Sequence, residues 1–158
     1  MTNKSTDTRV GFLLASIVRA RKLWARQILG PCELTPPQYA VLARLAECDG
    51  LSVGEIARRL YADMTMLSRT IGRMERAGLV TRQRCEADRR TCEVWLTDLG
   101  RERIASIQPR IEAAEHQLVN GLDEDAIATL KDLLRVVLSN VVRDTVAPVD
   151  EPAEWESR

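Results

Sequence analysis

The chain has 158 residues, of which 45% are hydrophobic and only 4% aromatic, and its 23 basic and 23 acidic side chains give a net charge of zero. This length fits one domain, or one domain with an appended dimerisation part, and the apolar fraction suffices for a core. No apolar run approaches the roughly 18 residues of a membrane-spanning helix, and the polar residues 1–8 do not resemble a signal peptide. The composition therefore predicts a mainly helical protein of the cytoplasm that has no membrane partner.

The neutral total conceals an uneven distribution of charge. Residues 58–90 contain nine arginines and four acidic residues, a net charge of +5, whereas residues 108–158 contain five basic and eleven acidic residues, a net charge of −6. A chain with one basic and one acidic end would be oriented on a polyanion such as nucleic acid. The alternative is that both regions are solvated surfaces of amphipathic helices.

Two helices are predicted before residue 50. The first covers residues 9–30 and ends at Gly30 and Pro31, and the apolar side chains spaced along one face are Phe12, Leu13, Ile17, Ala20, Trp24 and Ile28. The second begins with Thr35 as its N-cap and Pro36 in its first turn, and it runs towards Asp49 and Gly50. The side chains that it turns to the core are Tyr39, Val41, Leu42 and Leu45.

The segment from Leu51 to Gly100 carries the most informative pattern. Ser52 and Glu55 stand at the spacing of a capping box, which predicts a short helix with an apolar face formed by Ile56, Ala57 and Leu60. After a break at residues 61–63, Asp63 is predicted to cap a second helix from about Met64 to Ala77, which ends at a left-handed Gly78. Its buried stripe is Leu67, Ile71 and Met74, and its opposite face is Thr65, Met66, Ser68, Arg69, Gly72 and Arg73. Two helices joined by so short a turn form a helix-turn-helix.

A hairpin is predicted after Gly78. Residues 79–85 and 91–96 each mix apolar and polar positions as strands do, and the polar residues 86–90 connect them. A helix-turn-helix followed by such a hairpin is a winged helix, whose wing can reach the DNA backbone or the minor groove.

Two further helices are predicted in the C-terminal third. Thr97 caps the first of them, which Pro109 should kink or split, and Asp123 caps the last. The apolar side chains of the last helix are Ile127, Leu130, Leu134, Val137, Leu138 and Val141. The prolines and acidic residues after Ala147 predict a disordered tail.

The sequence resembles the multiple-antibiotic-resistance repressor (MarR) family of bacterial transcription regulators. The resemblance rests on Leu51, Ser52, Glu55, Ile56 and Ala57, then on the run from Ser68 to Arg82, and finally on Asp88 to Arg90, Leu96, Thr97 and Gly100; it covers roughly residues 9–145. It implies a mainly α fold: a winged helix-turn-helix with a two-stranded β wing at residues 35–97, flanked by dimerisation helices at residues 9–30 and 98–145. Residues 1–8 and 146–158 would be disordered tails.

The resemblance also implies a sequence-specific interface with double-stranded DNA. Thr65, Met66, Ser68 and Arg69 would face base edges, Arg73 a phosphate, and Arg58 is a further candidate for phosphate contact. At the tip of the wing, Arg90 would enter the minor groove with Asp88 as its orienting partner, and Arg89 would contact a phosphate. Because a two-fold dimer places two recognition helices on one side of a duplex, the operator should be a pseudo-palindrome.

The first and the last two helices have more apolar surface than a winged helix can cover. The resemblance implies that they interlock between two subunits, and the candidate dimerisation residues are Phe12, Ile17, Leu134, Leu138 and Val141. A homodimer is therefore expected, with a monomeric cap on the DNA-binding part as the alternative.

No catalytic motif, phosphate loop or metal cluster is evident, so we expect neither an enzyme nor a cofactor. Family members commonly bind small aromatic or anionic effectors, and Arg21, Trp24 and His116 are the candidate contacts here. The resulting hypothesis is a repressor released by such an effector. An alternative is a redox-sensing repressor that uses Cys32, Cys85 and Cys92, with Cys48 as a buried structural thiol. A second alternative, of another class, is a winged-helix module that binds proteins.

Overall fold

The computed structural model of the chain describes residues 9–84 and 92–145. The chain divides into two compact units, residues 1–113 and residues 114–158. The elements follow in the order α1 (Val10–Leu29), a 3-10 turn (Gly30–Cys32), α2 (Pro36–Glu47), β1 (Leu51–Ser52), α3 (Val53–Leu60), α4 (Met64–Arg76), β2 (Val80–Arg84), β3 (Cys92–Leu96), α5 (Asp98–Leu118) and α6 (Glu124–Thr145). The predicted fold class is confirmed, since helices predominate around one small sheet. None of the helices in these ranges has the length and apolar character needed to cross a membrane.

The two N-terminal helices begin and end close to their predicted positions. The helix α1 stops at Leu29, where Gly30 and Pro31 open the 3-10 turn. At the start of α2, the backbone N–H of Thr35 donates to Oε1 of Gln38 at 2.9 Å. This bond occupies a donor that the first turn of a helix cannot satisfy, so the cap stabilises the start of α2.

The sheet has three antiparallel strands in the order β1-β3-β2. The hairpin pairs Val80 with Leu96 at its base and Arg84 with Cys92 at its outer end, as expected from two predicted strands. The short strand β1 pairs Leu51 with Val94 and was not predicted, because two residues are too few to show a strand period. The sheet thereby connects the start of α3 to the base of the hairpin.

One hydrophobic core holds residues from α2, α3, α4 and the sheet together. Its fully enclosed side chains are Val41, Leu42, Leu45, Ile56, Ile71, Met74, Val80, Val94 and Ile107. Burial of each such side chain contributes about 1.5–3 kcal/mol, so the core fixes the orientation of α3 and α4. Gly100 lets the start of α5 approach the hairpin, because a Cβ at this position would collide with the carbonyl oxygen of Leu79.

The two C-terminal helices have the predicted caps, but Pro109 does not split α5. The N–H of Gly100 donates to Oγ1 of Thr97 at 3.0 Å, and the N–H of Ala126 donates to Oδ1 of Asp123 at 2.8 Å. Pro109 was predicted to kink or split this helix, and the split is wrong because α5 continues through Pro109. A proline removes one backbone donor, and the remaining hydrogen bonds on either side are enough to continue this helix.

The prediction of a buried Cys48 was also wrong. Cys48 is the C-cap of α2 and is exposed. The helix ends before this position, so the helical spacing that placed Cys48 on the apolar side no longer applies. The predicted tails, residues 1–8 and 146–158, lie outside the described residues.

Candidate nucleic-acid interface

A reciprocal cap fixes the start of α3. The N–H of Glu55 donates to Oγ of Ser52 at 3.2 Å, and the hydroxyl and N–H of Ser52 donate to Oε2 of Glu55 at 2.6 and 2.8 Å. The two bonds that Ser52 donates lower the pKa of the Glu55 carboxyl from its ordinary value of 4.5. The bond from the hydroxyl has the larger effect, and the bond from the backbone N–H has the smaller one. The predicted capping box is confirmed. Arg58 and Arg59 lie exposed in the last turn of the same helix.

A three-residue turn connects α3 to α4. Tyr61 is in the left-handed region with φ of 49°, and the N–H of Ala62 donates to the carbonyl of Ala57 at 3.0 Å. Asp63 then accepts a hydrogen bond from the N–H of Met66 at 2.8 Å and caps α4 as predicted. A residue in the left-handed conformation ends a helix and changes the direction of the chain, so α4 can begin only three residues after α3.

The buried face of α4 contains the predicted stripe and one further residue, Thr70, that was not predicted there. Leu67, Ile71 and Met74 are at most 4% exposed. Thr70 is also buried, and its hydroxyl donates to the carbonyl of Met66 at 3.0 Å. Because this bond closes within the helix, a threonine can lie inside without an unsatisfied hydroxyl. No spacing rule for apolar residues would have placed it there.

The opposite face of α4 is open to solvent. The exposed side chains on it are Thr65, Met66, Ser68, Arg69 and Arg73, with Gly72 half-buried between them. All of these residues were predicted on this face. Its centre is therefore polar and basic, with a glycine that allows close approach of another molecule.

Arg69 and Arg73 lie one turn apart and have no ion-pair partner within residues 9–84 and 92–145. The neighbouring arginines differ from them. The Nε of Arg76 donates to the carbonyl of Gly72 at 3.2 Å, and the Nε of Arg82 lies 3.6 Å from Oε2 of Glu75. Arg69 and Arg73 therefore keep their charge and donors available for an anionic partner.

The hairpin of β2 and β3 follows α4 along the chain. Its two strands are described as far as Arg84 and Cys92, which lie opposite each other. The residues predicted to contact DNA at the tip, Asp88, Arg89 and Arg90, lie outside the described residues. The base of the hairpin is fixed by the core, since Val80 and Val94 are fully buried.

Asp49 anchors the base of β3, a role that the sequence pattern did not indicate. Its Oδ1 accepts from the N–H of Leu96 at 2.9 Å and from the N–H of Gly50 at 3.2 Å. Its Oδ2 forms an ion pair of 2.6 Å with Arg101. Gly50 has φ of 73°, and a Cβ there would lie 2.5 Å from the ring of Trp95. Asp49 thus joins the loop before β1, the last residue of β3 and the first turns of α5.

The candidate dimerisation residues are exposed in the single chain. On α1, Phe12 is 39% and Ile17 48% exposed, and on α6, Leu134, Leu138 and Val141 are 42–55% exposed. On α6 these side chains are spaced four and three residues apart and so share one face of the helix, as in association surfaces.

The candidate effector residues lie on two helices. Arg21 is exposed and Trp24 half-buried on α1, and His116 is exposed near the end of α5. Arg21 and Trp24 belong to the unit of residues 1–113, and His116 belongs to the unit of residues 114–158.

The candidate redox cysteines are also separated along the chain. Cys32 is half-buried in the 3-10 turn, and its carbonyl accepts from Arg103 at 2.8 Å. Cys92 is exposed and lies opposite Arg84, whereas Cys85 lies outside the described residues. Within the described ranges, no group of three or more His, Cys, Asp or Glu side chains could hold a metal ion.

A helix-turn-helix followed by an antiparallel hairpin on a third strand defines a winged-helix protein. Residues 34–92 match the family model of the MarR family. The chain is 40% identical over 98 residues to the HTH-type transcriptional regulator TtmR of Methylorubrum extorquens, which covers 62% of this chain and 50% of TtmR. It is 34% identical over 94 residues to the organic hydroperoxide resistance transcriptional regulator of Bacillus subtilis, covering 60% of this chain and 64% of that protein. The match thus spans about half to two thirds of these relatives.

Solved structures extend the likeness to most of the chain. The MepR protein of S. aureus, in a complex with DNA, has a TM-score of 0.79 and 25% identity over 87% of this chain and 99% of that chain. PcaV of Streptomyces coelicolor, in complex with its natural ligand, has a TM-score of 0.77 and 27% identity over 89% of this chain and 99% of that chain. Residues 34–92 therefore form a MarR-family domain, and most of the chain shares the fold of these solved regulators. Its named relatives are regulators and not enzymes, as predicted.

Proposed function

We propose that the protein regulates transcription by binding double-stranded DNA through α4, with the N-terminal half of that helix in the major groove. The observation that carries this proposal is the exposed face around Arg69 and Arg73, whose guanidinium groups lack ion-pair partners among the described residues. Arginine donors match the O6 and N7 acceptors of guanine and the oxygens of phosphate. The similarity to MepR, whose structure contains DNA, supports the same assignment.

We assign different tasks to the residues of this face. Thr65, Met66, Ser68 and Arg69 lie towards the start of α4 and contact base edges, whereas Arg73, one turn further on, contacts a phosphate. Arg58, exposed at the end of α3, supplies another phosphate contact. At the wing we assign Arg90 to the minor groove, Asp88 to orienting it and Arg89 to the backbone.

The protein acts on DNA as a homodimer in this proposal. Residues 35–97 form the DNA-binding domain, and residues 9–30 and 98–145 form the dimerisation region. The exposed apolar faces of α1 and α6 support the assignment, because a second copy would remove them from water. Two recognition helices related by a two-fold axis then bind half-sites one helical turn, about 34 Å, apart.

We further propose a repressor that a small effector releases from its operator. The similarity to PcaV, which was solved with its natural ligand, supports an effector of this kind, with Arg21, Trp24 and His116 as candidate contacts. The alternative is redox control through Cys32, Cys85 and Cys92, which the name of the Bacillus subtilis relative favours. Reversible loss of DNA binding in mild peroxide, abolished by serine at these cysteines, would decide for the redox alternative.

Selection of bound sequences from a random DNA pool tests the function directly. We expect a pseudo-palindromic operator, and Arg69→Ala should weaken its binding by about 1–3 kcal/mol and relax preference at one base of each half-site. Arg73→Ala should weaken all sequences alike and reduce the salt dependence. Arg110→Ala removes the same charge from the exposed surface of α5 and serves as the control. Selection of no sequence, or equal binding by all variants, would contradict the proposal.

A second experiment tests the wing. Arg90→Ala should lose more affinity for operators flanked by A-tracts than for operators flanked by G·C pairs, because the narrow groove of an A-tract attracts an inserted arginine. Asp88→Ala should reproduce part of that loss. An identical loss with both flanks would contradict the minor-groove assignment.

A further inference from the structure

The first turn of α4 exposes a large apolar side chain. Met66 is 65% exposed, although the helix already has a complete buried stripe in Leu67, Ile71 and Met74. The backbone of Met66 is held by the hydrogen bond from its N–H to Asp63 and by the one that its carbonyl accepts from Thr70. A fixed backbone under an exposed thioether suits a contact with a partner rather than a place in the core.

Met66 lies beside the arginines that we assign to DNA. It precedes Arg69 by three residues and Arg73 by seven, and these spacings keep all three on one side of a helix with 3.6 residues per turn. At a rise of about 1.5 Å per residue, Met66 and Arg69 are about 4.5 Å apart along the axis. A base contacted by Met66 therefore neighbours the base contacted by Arg69.

The major groove offers few apolar groups to such a side chain. Thymine presents a C5-methyl group there, and the other edges of the four ordinary bases present donors and acceptors. We propose that Met66 contacts the C5-methyl group of a pyrimidine beside the base read by Arg69, and so selects thymine or 5-methylcytosine at one position of each half-site. This proposal rests on the proposed DNA-binding function.

Met64 provides a matched control on the same helix. It is 57% exposed, but its terminal methyl carbon lies 3.8 Å from the position that a Cβ on Gly54 would occupy. Its side chain is therefore directed back to α3. Loss of Met64 removes the same atoms from the helix without removing the contact that we assign to Met66.

The test measures binding of the full chain to its selected operator by fluorescence anisotropy. Each thymine of the half-site is replaced in turn by deoxyuridine, which removes only the methyl group. At one position we expect wild type and Met64→Ala to lose about fourfold in affinity per half-site, as for one buried methyl group. Met66→Ala should bind the thymine and deoxyuridine operators equally. At the same position, 5-methylcytosine should bind wild type about fourfold more tightly than cytosine.

Several outcomes would overturn this proposal. They are unchanged wild-type affinity for every deoxyuridine operator, a half-site without thymine, the same methyl dependence in Met66→Ala as in wild type, or equal affinity for cytosine and 5-methylcytosine. In each of these cases the protein still binds its operator, so the proposed function survives. Failure of wild type to bind any selected DNA would refute both.

Discussion

Helices α4 and α6 have the same apolar spacing and opposite surroundings. In α4 the stripe of Leu67, Ile71 and Met74 is at most 4% exposed, because α2, α3 and β2 pack against it. In α6 the stripe of Leu134, Leu138 and Val141 is 42–55% exposed. Apolar spacing therefore identifies the face that a helix buries, but it does not tell whether the same chain or a second copy covers that face.

The largest expected effect is a loss of folding stability on truncation of an apolar side chain, and it should differ between α4 and α6. Ile71→Ala should lower the free energy of unfolding by about 2–5 kcal/mol, because Ile71 is fully buried and its removal leaves a cavity. Urea denaturation at two protein concentrations measures this loss. The loss should be the same at both concentrations, because Ile71 packs within a single chain. The same truncation at Leu134 should act through the dimer, so the loss relative to wild type should shrink on dilution as both proteins dissociate. If both variants lost the same stability at both concentrations, the proposal that a second copy covers α6 would be contradicted.

The second prediction concerns assembly. Leu138→Asp should raise the dimer dissociation constant by about 100-fold or more, because it places an unpaired charge in the proposed interface. Sedimentation velocity at micromolar concentration checks this, and the monomer should bind operator DNA poorly.

Asn140→Asp is the matched control for this variant. It adds the same charge to an exposed position on the other side of α6 and should leave the dimer intact. A Leu138→Asp protein that still sediments as a dimer would exclude α6 from the interface.

Much of the fold could be predicted because its signals are local. The caps formed by Ser52, Asp63, Thr97 and Asp123 each involve partners three residues apart, and all four occur as predicted. The exposed face of α4 follows from helical period in the same way. A family resemblance added the assignment of individual residues on that face to base edges and phosphates.

The features that were missed depend on contacts between distant residues. Asp49 bonds to Leu96, which is 47 positions away, and no local rule indicates that its carboxylate turns inward. The strand β1 exists only because β3 lies beside Leu51. Thr70 is buried by the packing of α4, and Cys48 is exposed because α2 ends one residue earlier. Sequence patterns specify each element, and tertiary packing determines these four details.

The third prediction tests whether the base of the hairpin depends on Asp49. Asp49→Ala should cost about 1–3 kcal/mol of stability, because it leaves the N–H of Leu96 without its acceptor in a partly buried position. Arg101→Ala removes only the ion pair, and with a side chain that is 54% exposed it should cost at most about 1 kcal/mol. Thermal denaturation of the two variants compares them, and an equal loss would show that the ion pair, rather than the bond to the backbone, is the stabilising contact.

The smallest expected effect compares the caps of α2 and α3, which differ by one charge. Gln38 accepts from the N–H of Thr35 at 2.9 Å, and Glu55 accepts from the N–H of Ser52 at 2.8 Å. The lowered pKa of Glu55 means that its carboxylate stabilises the folded state above about pH 4.5, and that this contribution is lost as the pH falls through the lower folded pKa. Glu55→Gln should therefore cost about 0.3–1 kcal/mol at pH 7, as expected for a charge at a helix N-terminus, and nothing at low pH.

Gln38→Glu is the reciprocal change and should add a contribution with the same pH dependence at α2. Urea denaturation of both variants from pH 3 to pH 7 measures the difference from wild type. If Glu55→Gln lost the same stability at every pH, the shape of the side chain rather than its charge would account for the cap. If Gln38→Glu gained nothing at pH 7, the benefit of the charge would be specific to α3, where Arg58 and Arg59 further lower the pKa of Glu55.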